Sequence, residues 1–410
     1  MDKEIQYIIM HCIEACDPEQ NVFDIVKQRS YAKPPVIISI GKAAVSQARG
    51  AARALRGNFR KGLIITKYGH ALHAPDRFSV YEAGHPVPDE NSLRGAQAAL
   101  DAVQGLTAED TVIFLVSGGG SALFELPVVG LDRLSVITEE MLKKGCEINE
   151  INSVRKKLSA VKGGRFALAC APAKVENLLL SDVLGDAPSV IASGPAVPDD
   201  SPAELAWQTA EKYKMSLTAE ELRLLRQPTP AALQNVSVAY TGNLHILTQA
   251  AKTAAEALGY TATVINEALT GEASAQAEMF AKFVLEEKLK RPGEKLAYIM
   301  GGETTVTIKG GGKGGRNQEF ALAAAKVLDG IDGIRIFAFG SDGTDGPTEN
   351  AGGIADGGTA EKLRQAGGSV DAFLADNNSA EALRLADGLI VTGPTGTNVN
   401  DLYMALVTAD

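Results

Sequence analysis

The sequence predicts an α/β protein built as two successive domains, and three observations carry that expectation. Short, β-branched apolar runs alternate with Ala- and Leu-rich stretches of helical periodicity along the chain, the pattern of a sheet covered by helices. The runs are apolar throughout rather than at every second residue, as in strands buried on both faces. At 410 residues the chain is long for a single core, given roughly 150 residues per domain.

In chain order the clearest runs are PVIISI (35–40), GLIITK (62–67), TVIFLV (111–116) and NLLLS (177–181). LHILT (244–248), ATVIN (262–266), LAYIM (296–300), TVTIK (305–309), IRIFAFG (334–340) and GLIVTG (388–393) follow. Asn317 to Leu328 places Phe320, Ala323, Ala324, Val327 and Leu328 on one side of a helix. The stretch Pro188 to Pro202 is rich in Pro and Ser, 203–235 reads as polar helix, and a fresh strand–helix pattern starts at His245. Domains over 1–235 and 236–410 follow, with the active site expected in the cleft between them, where pockets concentrate.

A net charge of −10 with no polybasic run excludes nucleic acid and anionic membrane as bulk electrostatic partners. Cys12, Cys16, Cys146 and Cys170 form no CxxC or paired metal motif and read as thiols of a reducing compartment. The N-terminus lacks the apolar run of a signal peptide, and no segment approaches the ~20 apolar residues of a membrane helix. A cytoplasmic protein is expected.

The 42 glycines exceed the usual share of about 7%, and they cluster where apolar runs end. Ligands of open α/β sheets bind at the carboxyl ends of strands. Gly41 and Lys42 follow the first run, where a lysine beside a helix start suits a phosphate. Ser117, Gly118, Gly119, Gly120 and Ser121 follow TVIFLV, and three consecutive glycines can form a backbone anion nest. Asp182 follows NLLLS and Asp186 lies four residues on; Asp182 could orient a hydroxyl, accept its proton or hold Mg²⁺. Gly302 and Glu303 close LAYIM. A loop over Gly310 to Arg316, expected to be mobile, carries Lys313 and Arg316 and suits a polyphosphate. Asp342 and Asp345 lie in a Gly-rich turn, and Asn398 in a Thr/Asn loop. His85, in GHPVPDEN, follows a strand. No GxxxxGK[ST] motif occurs, so a standard P-loop is excluded. Gly310, Gly312 and Gly315 match GxGxxG, a weak dinucleotide signal in so glycine-rich a stretch.

These blocks stand in a specific order: GKAA, VSGGGSALFELP, LLLSDVLGD with SGP, GGETTVTIKGGGKGGRNQEFALAAA, GSDGTDGPTENAGG, then TGPTGTNVNDL. Together they resemble the glycerate kinases of the MOFRL family (class II) over nearly the whole chain. The resemblance implies an N-terminal Rossmann-like three-layer α/β domain and a smaller C-terminal α/β (MOFRL) domain. It implies ATP-dependent phosphorylation of D-glycerate at the C2 hydroxyl, giving 2-phosphoglycerate and ADP, with Mg²⁺ or another divalent metal. By motif match the catalytic lysine, aspartate and arginine fall on Lys42, Asp182 and Arg316. Ser117, Gly118, Gly119, Gly120, Ser121, Gly302, Glu303, Lys313, Asp342 and Asn398 are expected to contact substrate or nucleotide, and Asp182 and Asp186 the metal. Partners would be D-glycerate and ATP, with a homodimer also carried as an expectation. An NAD(P)H-dependent hydroxypyruvate reductase is the alternative activity, resting on the GxGxxG match and on a label some members carry.

Overall fold

A computed structural model describes residues 2–409. By its internal contacts the chain forms two compact units: Pro18–Ser181 with Ala187–Thr241, and Met1–Asp17 with Asp182–Asp186 and Gly242–Asp410.

The N-terminal unit is built on a six-stranded sheet of β1 (Val36–Ile40), β2 (Lys61–Lys67), β3 (Phe78–Ala83), β4 (Thr111–Val116), β5 (Lys174–Leu180) and β6 (Val236–Gly242). Its spatial order is β3-β2-β1-β4-β5-β6, and the β1–β2, β1–β4, β2–β3 and β4–β5 pairs are parallel. This is the order of the doubly wound dinucleotide folds, which reverse direction between the first and fourth strands. β1 and β4 are buried at every residue, as their unbroken apolar sequence requires. One face packs Ile37, Ile113, Leu115 and Leu178 against Val22, Val26 and Phe59. Elsewhere in the unit, Phe114, Phe124 and Phe166 pack ring to ring.

The C-terminal unit holds a mixed sheet of β7 (Thr261–Leu269), β8 (Leu296–Gly302), β9 (Ile334–Gly340), β10 (Gly352–Asp356), β11 (Leu389–Ile390) and β12 (Asp401–Val407). The order is β11-β10-β9-β12-β8-β7, with β12 antiparallel to both β8 and β9. Asp401 therefore pairs in register with Gly302 on one side and Gly340 on the other, so two strand ends and one strand start meet at one edge. The helix Arg316–Leu328 is buried nearly all round rather than on one side. Phe320, Ala323, Ala324 and Leu328 join a core with Tyr298, Ile336 and Tyr403, while Leu322 and Ala325 join another with Ala355, Leu363 and Ala382.

Two sequence expectations are corrected. LHILT is the start of a helix, Leu244–Ala257, because Asn243 caps it through Oδ1 accepting from the Ile246 amide (2.8 Å); the strand lies just before it, as β6. TVTIK forms no strand and makes only an isolated bridge from Thr305 to Glu272. The two compact units are bounded near residues 241–242, and residues 1–17 fall with the second of them. The first helix (Lys3–Ala15) buries Ile5, Ile8, Ile9 and Cys12, a helical stripe that belongs with the C-terminal unit. There the Cys12 thiol donates to the Leu247 carbonyl at 3.7 Å, and Arg335 pairs with Asp2 and Glu4.

Candidate active site

The candidate residues fall into two sets, one on each unit. In the N-terminal unit the carboxyl ends of β1 and β4 are adjacent at the reversal point of the strand order, where such sheets bind ligands. Gly41 takes φ +110, and a side chain there would run into Ser117 Oγ and its carbonyl. Only glycine lets the two loops close this tightly. The loops are then sewn together: the Lys42 amide donates to the Gly118 carbonyl (2.9 Å), the Ala43 amide to Ser117 Oγ (3.0 Å), and Ser117 Oγ to the Ile40 carbonyl (3.1 Å). Ser117 is thus spent on the scaffold, while the Lys42 side chain is exposed.

Gly119 takes φ +86, and a methyl there would stand 3.2 Å from His85 Nε2 and 3.4 Å from Lys42 Cγ. Backbone, imidazole and lysine stem therefore converge on one spot. Burial first, then the charges of Lys42, Lys67 and His70, hold the His85 imidazolium below its ordinary pKa. Four cationic or protonatable side chains thus gather at the ends of β1, β2 and β3 in a chain of net charge −10, which makes this edge locally receptive to anions. The flanking Ser121 hydroxyl hydrogen-bonds the Ser193 hydroxyl at 3.0 Å. Beneath the loop, Arg155 donates to the Ser121 carbonyl (3.2 Å) and lies 3.5 Å from the buried Glu125 carboxylate. Glu125 also lies 3.6 Å from Lys162. Burial, against the pull of Glu125, lowers Lys162 to about 8.

In the C-terminal unit Arg316 opens its helix at the edge where β8, β9 and β12 meet. Its Nε and Nη2 donate to the two oxygens of Asp401 at 2.5 and 3.1 Å, and its Nη1 donates to Glu303 at 2.7 Å. Burial works against the guanidinium charge, but the two carboxylates outweigh it and keep Arg316 firmly protonated. Burial likewise raises the Asp401 carboxyl to about 6 against the pull of Arg316. Asp401 was missed in the sequence because it reads as the last residue of a Thr/Asn turn. The acid that begins a strand after TGTNVN was the available signal.

The glycine loop before Arg316 is not the open flap its sequence suggests. The amides of Lys309 and Gly310 donate to Asn377 Oδ1 (2.6 and 3.0 Å). Those of Gly311 and Gly312 donate to the Asp376 side chain and carbonyl (3.0 and 2.9 Å). The helix N-terminus is also occupied: the Asp345 carboxylate accepts from the Asn317 and Gln318 amides at 3.1 and 2.8 Å. The donors a pyrophosphate would need under the GxGxxG reading are therefore taken by the protein's own carboxylate and amides. Lys313 is exposed on this loop. Asp342 accepts from the amide and hydroxyl of Thr344 (2.9 and 3.1 Å), an Asx turn, and Asn398 accepts from the Asn400 amide (3.3 Å). A cavity of about 530 Å³ opens beside Arg316 and Glu303, lined also by Leu184, Val306, Ile308, Glu319 and Pro347.

Asp182 directly follows β5 and its neighbour Ser181 in the chain and groups with the C-terminal unit. Asp186 accepts from Asn243 Nδ2 at 2.6 Å. Among the described residues, no three His, Cys, Asp or Glu side chains converge as a metal cage, and no helix is long and apolar enough to cross a membrane.

A doubly wound unit with a cationic edge and a mixed-sheet unit with a carboxylate-clamped arginine define the class of α/β protein at hand, and comparison with known proteins gives its family. Residues 4–226 match the domain of unknown function DUF4147, and residues 296–401 match the MOFRL family. The chain belongs to this DUF4147–MOFRL family. It is 46% identical to the D-glycerate 2-kinase of Thermotoga maritima, over 98% of this chain and 97% of that protein. It is 40% identical to the glycerate 2-kinase of Pyrococcus horikoshii, over 98% and 96%. A chain of Agrobacterium vitis with a provisional hydroxypyruvate reductase name is 36% identical, over 96% and 92%. The crystal structure of glycerate kinase from Thermotoga maritima superposes with a TM-score of 0.95, covering 99% of both chains.

Proposed function

We propose that this chain is a D-glycerate 2-kinase, transferring the γ-phosphoryl group of ATP to the C2 hydroxyl of D-glycerate and releasing ADP and 2-phosphoglycerate. The observation that carries this reading is the end-to-end 46% identity to the Thermotoga D-glycerate 2-kinase, which spans both candidate sets.

Phosphoryl transfer needs positioning and charge neutralisation more than covalent chemistry. In this reading Lys42 supplies an exposed, mobile cation and Arg316 a rigid one. With Asp401 and Glu303 fixing three of its five N–H groups, Arg316 keeps one N–H on each terminal nitrogen for a phosphoryl oxygen. Asp182 accepts the C2 proton or orients the hydroxyl. The Ser117–Ser121 loop and His85 hold an anion at the strand ends. Mg²⁺ is commonly bound through one or two carboxylates plus substrate phosphates, which suits a chain without a three-residue cage among the described residues. Asp182 and Asp186 are the carboxylates offered, and the ion would supply charge neutralisation on the β- and γ-phosphates.

The reductase alternative loses its sequence support where Asp345 fills the helix N-terminus of the GxGxxG segment. The test is ADP release with D-glycerate, ATP and Mg²⁺, run beside NADH absorbance with hydroxypyruvate alone. The kinase reading expects turnover in the first and none in the second; the opposite outcome overturns it.

A further inference from the structure

We propose that the cavity beside Arg316 is the nucleoside site of the phosphoryl donor, with Val306, Ile308 and Pro347 covering the base and Glu319 accepting its exocyclic amine. The proposal rests on the kinase reading above and assigns the donor's base to the C-terminal unit.

Four observations carry it. The volume, about 530 Å³, lies within the roughly 300–1,000 Å³ of small-molecule sites. Its wall is segment 305–309, whose β-branched sequence would suit a sheet but which is held out of one. The Thr307 amide and hydroxyl donate to Glu272 (2.9 and 3.0 Å), and the Lys309 amide to Asn377. Val306 and Ile308, two residues apart on this wall, both line the cavity, and Ile308 is 81% exposed. Ile308 thus leaves apolar surface open at the rim of the cavity. Polar chemistry stands at the cavity's helix side. Arg316 and Glu319 both line it, a cation and a carboxylate on the helix side of the cavity. Asn377 Nδ2 donates to Glu319 Oε2 (3.2 Å), which fixes the carboxylate and leaves Oε1 to a ligand. Adenine carries an N–H₂ donor at the position where guanine carries an oxygen acceptor, so a carboxylate there favours ATP over GTP.

The experiment uses the full chain and 8-azido-ATP, with photolabelled peptides mapped and labelling competed by ATP. Label on peptides containing 303–319 or 346–347 supports the site. Label elsewhere, or none, overturns it whether or not the protein turns over. Kinetics add a second reading. Ile308→Glu, at an exposed position, is expected to raise the KM for ATP about tenfold while the KM for D-glycerate stays within about twofold. Glu319→Gln is expected to shrink the preference for ATP over GTP about tenfold. An unchanged KM for ATP in an Ile308→Glu protein that still makes phosphoglycerate overturns the site and leaves the kinase reading standing. A wild-type chain that labels at 303–319 yet makes no phosphoglycerate overturns the kinase reading instead.

Discussion

Two glycine-rich loops of this chain read alike and fold to opposite purposes. Ser117–Ser121 closes β4 beside Gly41 and Lys42, and its positive-φ Gly119 brings backbone, His85 and Lys42 together. Residues 310–315 look richer still, yet their amides are bound to Asp376 and Asn377, and the helix they lead into is capped by Asp345. The first loop presents a cationic edge. The second is a fixed wall that sets Arg316 against Asp401. Glycine content therefore marks close approach in both cases, but of cationic side chains in one and of the protein's own backbone in the other.

The largest effects should come from the two cations that this contrast singles out. Lys42→Ala and Arg316→Ala should each lower kcat by about 10³-fold, the scale of losing one preorganised charge contact in a transition state, as read by coupled ADP release. Near-normal turnover in either folded variant breaks the assignment. Next comes the clamp. Asp401→Ala removes the buried partner of the part-exposed Arg316 and should cost about 1.5–3 kcal/mol of stability, the scale of hydrogen bonds to a charged group, measured by chemical denaturation, together with most activity.

The clamp also has a pH signature. The Asp401 carboxyl stands at about 6 in the fold against 3.8 unfolded. A raised acid contributes stability that is full below about pH 4 and lost as pH rises through about 6. Asp401→Asn should remove that component, at most about 3 kcal/mol, and flatten Tm between pH 4 and 7 relative to wild type. An identical slope in both proteins would contradict the burial-driven shift.

Smaller effects sharpen the loop comparison. Gly119→Ala should lower kcat/KM about tenfold, because it strains φ and crowds His85 and Lys42. Lys313→Ala should change kcat/KM by about threefold or less, since the exposed lysine lies on the loop whose donors are spent. A Lys313 effect as large as that of Lys42 would erase the distinction.

Much of the fold was legible because β1, β4, β8 and β9 are buried on both faces and so announce themselves as unbroken apolar runs. β6, β10 and β12 were not read, and β3 was read only as a strand ahead of His85. β3 and β6 lie partly exposed, β10 begins with two glycines, and β12 follows a turn-like TGTNVN. LHILT misled because composition alone does not separate a short apolar strand from a helix start; the Asn243 cap decides it. In the site, Lys42 and Arg316 were legible as cations at strand and helix junctions. Asp401 and Glu319 were not, since their importance lies in facing Arg316 and the cavity, a relation only the fold creates. Asp345, placed in a Gly-rich turn by the sequence, proves to be a helix cap.

The most direct test of the whole account is the identity of the product. Phosphorus NMR of wild-type protein incubated with D-glycerate, ATP and Mg²⁺ should show 2-phosphoglycerate and ADP in equal amounts. Appearance of 3-phosphoglycerate alone, or ATP left intact, would contradict it.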